Sequence, residues 1–409
     1  MSARCLRLAL VLVVVVVAAG CSSGEPLTAP ISGPDVSRSS SSTVSGAGAT
    51  SGGAPTTTRR TVPADKLTVG WTHTQYSIDP DNSAAANDAA IDILRELAPI
   101  QNQHIMGFGT LNPEPSKGTY DWASLDYRVD AIRRSGALPV ITLCCAPDWM
   151  KGGKPGSTDW TRLETAPLPE HYDDFANLAA EVAKRYPDID YFLVWNELKG
   201  FFDNTKNRWQ YEQYVELYNK VYDAVKHVRP TAKIGGPYVV VDTVADPTNT
   251  SHPSALRGVW GAFDQRPLDV IDYFLDHAKG ADFVVIDGGL RPKNAALTTD
   301  ATRAVDKFAA IQDWIRERTD LPIWWAEFYP QPQDKLDDTT LITSTLRALD
   351  TVAAHGATVV LLWGPNCIGT TTAICLYSDT RKGTVTQSPL AKSLANWQTP
   401  TTKTTTTTR

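Results

Sequence analysis

Between Lys66 and Trp397 the chain alternates short apolar runs with longer stretches in which apolar residues recur at helical spacing. Leu67 to Tyr76 reads as a first strand. Asn82 to Leu97 reads as a helix, with Ala90, Ile91, Leu94 and Leu97 on one face. His104 to Phe108 reads as a second strand. Tyr120-Asp121-Trp122 then enters a helix over Leu125 to Arg134, which Ser135-Gly136 closes as a C-cap. The third strand is Leu138 to Leu143, its helix Tyr172 to Arg185, and the fourth strand Tyr191 to Asn196. A long helix from Tyr211 to Val228 ends at Arg229-Pro230, because proline stops a helix, and leads to a fifth strand at Lys233 to Val241. A helical stretch at Asp269 to Ala278, a sixth strand at Asp282 to Ile286, a helix at Ala304 to Arg318 and a seventh strand at Ile323 to Ala326 follow. Leu341 to Ala354, Thr358 to Trp363 and Leu390 to Trp397 complete the series as helix, strand and helix. Eight strand–helix pairs match a (β/α)8 TIM barrel better than an open doubly wound sheet.

Two of these strands deliver a glutamate at the end where such barrels keep their chemistry. Tyr191-Phe192-Leu193-Val194 runs into Trp195-Asn196-Glu197, and Ile323-Trp324-Trp325-Ala326 runs into Glu327. One strand-end glutamate is readily a salt-bridged barrel residue. Two on strands facing each other across the mouth make a paired-carboxylate site. Trp71, His73, Trp149, Tyr238, Asp287, Tyr329 and Trp363 also fall near strand ends and are candidates for the cleft.

The chain has 409 residues and a formal net charge of -6, with no basic excess to serve as a nucleic-acid footprint. Its length suits one barrel of about 250 residues with insertions. Twelve tryptophans and fourteen tyrosines are a supply of rings for a sugar cleft, beside those needed for packing between helices and sheet. The cysteines show no zinc spacing, and no grouping of histidine and carboxylate along the chain points to another metal or to a cofactor. Cys144 and Cys145 are adjacent on a strand, where side chains point in opposite directions, and read as buried thiols. Cys367 and Cys375 lie in one loop after the eighth strand and can pair in an exported protein.

The N-terminus has the order of an export signal: Arg4 and Arg7, the apolar run Leu8 to Ala19, then Gly20-Cys21. The run is shorter than a membrane span of about 20 residues. Ala18-Ala19-Gly20-Cys21 resembles a bacterial lipobox, which implies a signal peptide over 1–20, a lipidated Cys21 and attachment to the outer face of the cell membrane. Conventional secretion after cleavage nearby is the alternative. Residues 21–65 are rich in Ser, Thr, Gly and Pro and read as a tether, as does the threonine-rich tail 399–409; the catalytic unit reads as 66–398.

The motifs together resemble the clan A glycoside hydrolases. Val194-Trp195-Asn196-Glu197 looks like that clan's Asn-Glu motif and Trp324-Trp325-Ala326-Glu327 like its nucleophile strand, while Gly118-Thr119-Tyr120-Asp121-Trp122 is similar to the entry of its second helix. Ile234-Gly235-Gly236-Pro237 resembles family 39, known for β-xylosidases and α-L-iduronidases. The sequence departs from the clan pattern at Gln103-His104-Ile105-Met106, where many members place arginine, and at Leu198, where family 39 commonly has proline. The resemblance implies retaining hydrolysis of an oligosaccharide or polysaccharide without cofactor. Glu197 would be the acid/base, Glu327 the nucleophile, Asn196 the donor to the sugar 2-hydroxyl and Trp363 a stacking floor. The rival from another class is a non-catalytic carbohydrate-binding lipoprotein, and a third reading is a barrel that binds wall glycans without turnover.

Overall fold

The computed structural model describes residues 61–244, 252–293, 301–331, 337–368 and 374–397. Cys21, the segment read as a signal, nearly all of the tether and the tail from 399 lie outside them. Eight strands form the centre: β1 Thr68–Thr72, β2 Ile100–His104, β3 Leu138–Leu143, β4 Tyr191–Val194, β5 Lys233–Val240, β6 Phe283–Gly289, β7 Ile323–Tyr329 and β8 Ala357–Trp363. Each pairs in parallel with its chain neighbours, and β1 pairs with β8 from Thr68↔Val359 to Thr72↔Trp363, which closes the barrel. Helices α1 Ala84–Leu97, α2 Ala123–Ser135, α3 Tyr172–Arg185, α4 Tyr211–Val228, α5 Gln265–His277, α6 Asp306–Arg316, α7 Asp338–Ala354 and α8 Pro389–Asn396 alternate with the strands, so the chain is a (β/α)8 TIM barrel. Several starts are set by side chains that accept an otherwise orphaned backbone N–H, including Ser83 before α1, Asp337 before α7 and Ser388 before α8. Gly136 ends α2 in the left-handed region.

The barrel interior is filled. Tyr191, Phe283 and Trp324 stack within it, the last two with ring centroids 4.2 Å apart. Space is tight at β1, where a Cβ on Gly70 would lie 2.0 Å from the Ile100 carbonyl oxygen. The second, larger shell of apolar side chains lies between strands and helices.

Several strand boundaries differ from the periodicity: β1 ends at Thr72 rather than Tyr76 and β4 at Val194 rather than Asn196. β2 lies four residues earlier than His104 to Phe108, because its buried positions are amides rather than hydrocarbons. Asn102 donates to Thr72 Oγ1 at 3.1 Å and accepts from Thr142 Oγ1 at 2.9 Å, while Gln101 donates to Ser135 Oγ at 2.9 Å. Such satisfied polar groups are stable inside, but they break an apolar run. β6 and β7 each continue three residues past the apolar segment, and those extensions carry Asp287, Glu327 and Tyr329.

The cysteine expectation for β3 is corrected. Cys144 and Cys145 form a disulfide with each other across a cis peptide bond. Opposite side-chain directions hold for a trans, extended pair. Here the Cα atoms are 2.9 Å apart, a separation that only a cis bond allows. Cys367 and Cys375 are joined by a second disulfide, with Cα atoms 5.3 Å apart.

Candidate active site

Glu197, Asp287 and Glu327 come together at the C-terminal mouth of the barrel, with oxygens of all three side chains within 4.8 Å of one another, and all three residues are buried. Each arrives by a different backbone device. After β4 the chain leaves extended geometry abruptly: Trp195, Glu197 and Leu198 have φ of 70°, 49° and 48°. This uncommon left-handed run turns the Trp195 ring outward, where it packs on Phe175, and presents Glu197 to the mouth. On β6 ordinary alternation suffices, since Val285 faces in, Ile286 out and Asp287 in. On β7 a bulge intervenes: Ile286 is opposite Trp325 and Asp287 is opposite Glu327, leaving Ala326 as the extra residue. The bulge re-phases the strand so that Glu327 points inward directly after inward-facing Ala326. A second bulge, on β5, inserts Tyr238 between Pro237 and Val239 and turns it inward at φ 57°.

Tyrosines grip Glu327 on both oxygens. Tyr238 donates to Oε1 at 2.9 Å and Tyr329 donates to Oε2 at 2.5 Å. Burial, and then the Glu327 carboxylate, push both phenols well above their usual range, so they stay protonated and act as donors. Burial and the nearby Glu197 carboxylate push Glu327 up to about 8, while Lys199 and the two hydroxyls act in the other direction. Asp287 is held well above the usual carboxylate range by burial and by the Glu327 and Glu197 carboxylates. Glu327 and Asp287 raise each other, and the pair retains a proton above the usual carboxylate range.

Glu197 has a different neighbourhood. Lys199 Nζ lies 2.5 Å from its Oε2 and 2.8 Å from Glu164 Oε1. Burial works against the ammonium, but the carboxylates of Glu197 and Glu164 more than offset it and hold Lys199 well above the usual lysine range. Lys199 thus already supplies a cation beside the carboxyl cluster. Asn196 donates to Glu164 Oε1 at 3.1 Å, and its Oδ1 is 3.4 Å from His104 Nε2. Burial lowers the His104 imidazole to about 3, so the ring is uncharged at neutral pH and donates from Nε2 to the amide oxygen. That fixes the orientation of Asn196. The His104 ring lies 4.2 Å from Phe108, which meets half-buried Trp363 edge-on at 5.3 Å, so an aromatic wall runs from Asn196 to the end of β8.

Of the sequence candidates, Glu197, Glu327, Asp287, Tyr238, Tyr329, Asn196 and Trp363 fall in this neighbourhood. Trp71 and His73 do not, and they are corrected: both follow the outward phase of β1 and are fully buried under the helices. His73 is paired with Gln101 and Ser77 there, and burial lowers it to about 4. Trp149 packs edge-on against His171 and donates to the Glu114 carbonyl, contacts made within the loops rather than with the trio. Lys199, Glu164, His104 and Phe108 were missed. Lys199 had one signal, its place two residues after a strand-end glutamate. Glu164 had none, since it reaches the site from a long loop.

The barrel is similar to known structures at low identity, which reports the fold. A monomeric β-xylosidase from Caulobacter crescentus matches at 16% identity and TM-score 0.56, over 83% of this chain and 69% of that one. A family 39 glycoside hydrolase from Bacteroides cellulosilyticus matches at 18% identity and TM-score 0.55, over 81% and 63%. A β-glucosidase from Exiguobacterium marinum matches at 15% identity and TM-score 0.55, over 81% and 97%. No curated protein sequence matches the chain. The family model described as glycosyl hydrolases family 39 matches residues 104–352, a span from the end of β2 into α7 that includes both strand-end glutamates. The chain belongs to glycosyl hydrolase family 39.

Proposed function

We propose that the chain is a retaining glycoside hydrolase acting on an oligosaccharide or polysaccharide, with Glu197 as acid/base and Glu327 as nucleophile. The observation that carries this reading is the separation of the two carboxyls, whose oxygens lie within 4.8 Å. Direct attack on the anomeric carbon needs a spacing of about 5 to 5.5 Å, whereas a water-mediated inverting reaction needs about 6.5 to 9.5 Å. In the first step Glu327 forms a bond to the anomeric carbon as the glycosidic bond breaks, and the leaving oxygen takes a proton from Glu197. In the second a water gives its proton to Glu197 and displaces Glu327. Tyr238 and Tyr329 aim the nucleophile by holding one oxygen each. Asn196, fixed by His104, keeps an N–H for the sugar 2-hydroxyl, a bond that strengthens in the transition state. Trp363 and Phe108 offer ring faces and edges to the sugar. The test is the anomeric form of the first product, followed by proton NMR on an aryl glycoside that the chain turns over: retention supports the reading and inversion overturns it.

We also infer, from Ala18-Ala19-Gly20-Cys21 and the tether behind it, that the enzyme is exported and held on the outer face of the membrane by a lipidated Cys21. Among the described residues no helix is long and apolar enough to cross a membrane.

A further inference from the structure

Neither chemical step uses Asp287, yet it lies beside both glutamates. It is fully buried on β6, an oxygen of it lies within 4.8 Å of oxygens of both Glu197 and Glu327, and no donor among the described residues reaches either Asp287 oxygen. A buried carboxylate with no donor is costly, and the cost disappears if the group carries a proton. The groups facing it are Glu327 and Tyr329 from β7, Tyr238 from β5, and Glu197 and Lys199 from the turn after β4. Both tyrosine hydroxyls are committed to Glu327. The remaining neighbour is Glu197, a carboxyl oxygen of which lies within 4.8 Å of an Asp287 oxygen. Two buried carboxyls this close are relieved of their mutual repulsion when they share one proton. On its other side Glu197 meets the Lys199 ammonium at 2.5 Å, so a proton in this group has its place on Asp287, away from the cation.

Resting on the assignment of Glu197 as acid/base, we propose that Asp287 is a positioning residue that stores the proton Glu197 delivers to the leaving oxygen and recovers it during hydrolysis. At rest the trio holds Glu327 and Glu197 as carboxylates and Asp287 as the acid. As the glycosidic bond breaks, the proton on Asp287 passes to Glu197 and from Glu197 to the leaving oxygen, while Glu327 gives up its charge to the new bond. Asp287 and Glu197 are then the two carboxylates. In the second step the water proton returns through Glu197 to Asp287, and Glu327 departs as a carboxylate. The buried trio carries the same net charge before and after each step, which avoids charging a site from which water is largely excluded. The raised titration of Asp287 agrees with this geometry.

The test compares a phenyl glycoside, which needs protonation to leave, with the 2,4-dinitrophenyl glycoside of the same sugar, which does not. Asp287→Asn is expected to lower phenyl glycoside turnover about 100-fold, the range of general-acid effects. It should leave the first-turnover burst of dinitrophenol within about threefold, because that step moves no proton, and move the alkaline limb of kcat/KM for the phenyl glycoside down by about one pH unit or more. Asp287→Glu should recover part of both losses. In a Glu197→Ala background Asp287→Asn should add no further loss, because its effect passes through Glu197. Asp287→Ser provides the same comparison where Asp287→Asn does not fold. Equal losses on the two substrates with an unmoved alkaline limb would mean that Asp287 only holds the site's shape, and would overturn the proposal. Losses that multiply in the double variant would do the same. If Glu197→Ala itself turns over the phenyl glycoside at the wild-type rate, the acid/base assignment beneath the proposal fails, and that result is visible before Asp287 is changed.

Discussion

Lys199 Nζ lies 2.5 Å from Glu197 Oε2, although the two residues are only two apart in sequence. The contact depends on the sharp turn between them: Glu197 and Leu198 have positive φ, and Gly200 follows at 81° with no room for a side chain, since a Cβ there would sit 2.3 Å from the Ala166 amide nitrogen. The ammonium opposes the burial that raises Glu327 and Asp287. Lys199→Met should therefore let the carboxyl cluster keep its proton to higher pH. We predict that the alkaline limb of kcat/KM moves up by about 1 to 3 pH units, opposite in direction to Asp287→Asn. A pH–rate profile of purified Lys199→Met checks this.

A second prediction concerns stability. Burial raises Glu327, to about 8, and Asp287, well above the usual carboxylate range near 4.5, so the folded carboxyl cluster, through Asp287, holds a proton that the unfolded chain has released. The stabilising contribution of that proton is complete below about 4.5 and is lost as pH rises towards 8, with a slope of at most about 1.4 kcal/mol per pH unit. Glu327→Gln removes one of the charges that raise Asp287 and so weakens this dependence. Thermal unfolding of the variant should fall less between pH 5 and pH 8 than that of the wild type. His73 and His104 work in the other direction: burial lowers them to about 4 and about 3, so the stability they contribute is present above the unfolded value near 6.5 and declines as pH falls below it.

The barrel was legible in the sequence because each strand–helix pair leaves a change of apolar period, and the two glutamates were legible because each follows a buried strand. What periodicity missed has physical reasons. β2 buries amides that bond to neighbouring hydroxyls and backbone carbonyls, so Ile100-Gln101-Asn102-Gln103-His104 has no apolar run to detect. Trp71 and His73 stand near a strand end, but strand-end position does not report phase, and outward phase places them under the helices. Ala326 is the extra residue of a bulge that only strand pairing reveals, and without that bulge Glu327 would point away from the mouth. Cys144 and Cys145 joined each other because the peptide bond between them is cis, which spacing alone does not encode.

The Cys367–Cys375 disulfide should stabilise the loop after β8 mainly by restricting the unfolded chain, since it closes a separation of eight residues. A bridge of that span contributes about 2 to 3 kcal/mol. Cys367→Ser combined with Cys375→Ser should lower the denaturant midpoint by a corresponding amount. An unchanged midpoint would show that the bridge is absent or without effect in solution.

Membrane attachment rests on Cys21. Replacing it with alanine should move the protein from the detergent phase to the aqueous phase or block its maturation, as followed by detergent partition and N-terminal mass. If both measurements match the wild type, the tether reading fails.

In the proposed reaction Glu327 attacks and Glu197 shuttles the proton. Removing each should fail differently. Glu327→Ala should lose activity by 10³-fold or more (roughly the scale of losing a catalytic nucleophile) on every glycoside, whatever its leaving group. Glu197→Ala should still transfer the sugar from a 2,4-dinitrophenyl glycoside, because that group departs without a proton, and should then stall for want of a base to activate water. Peptide mass mapping of Glu197→Ala after reaction with the dinitrophenyl glycoside is therefore the most direct measurement. The expected result is a sugar covalently attached to the peptide Ile323–Tyr329 at Glu327. A sugar attached to Asp287 or to any other residue, or full hydrolysis by both variants, would contradict it.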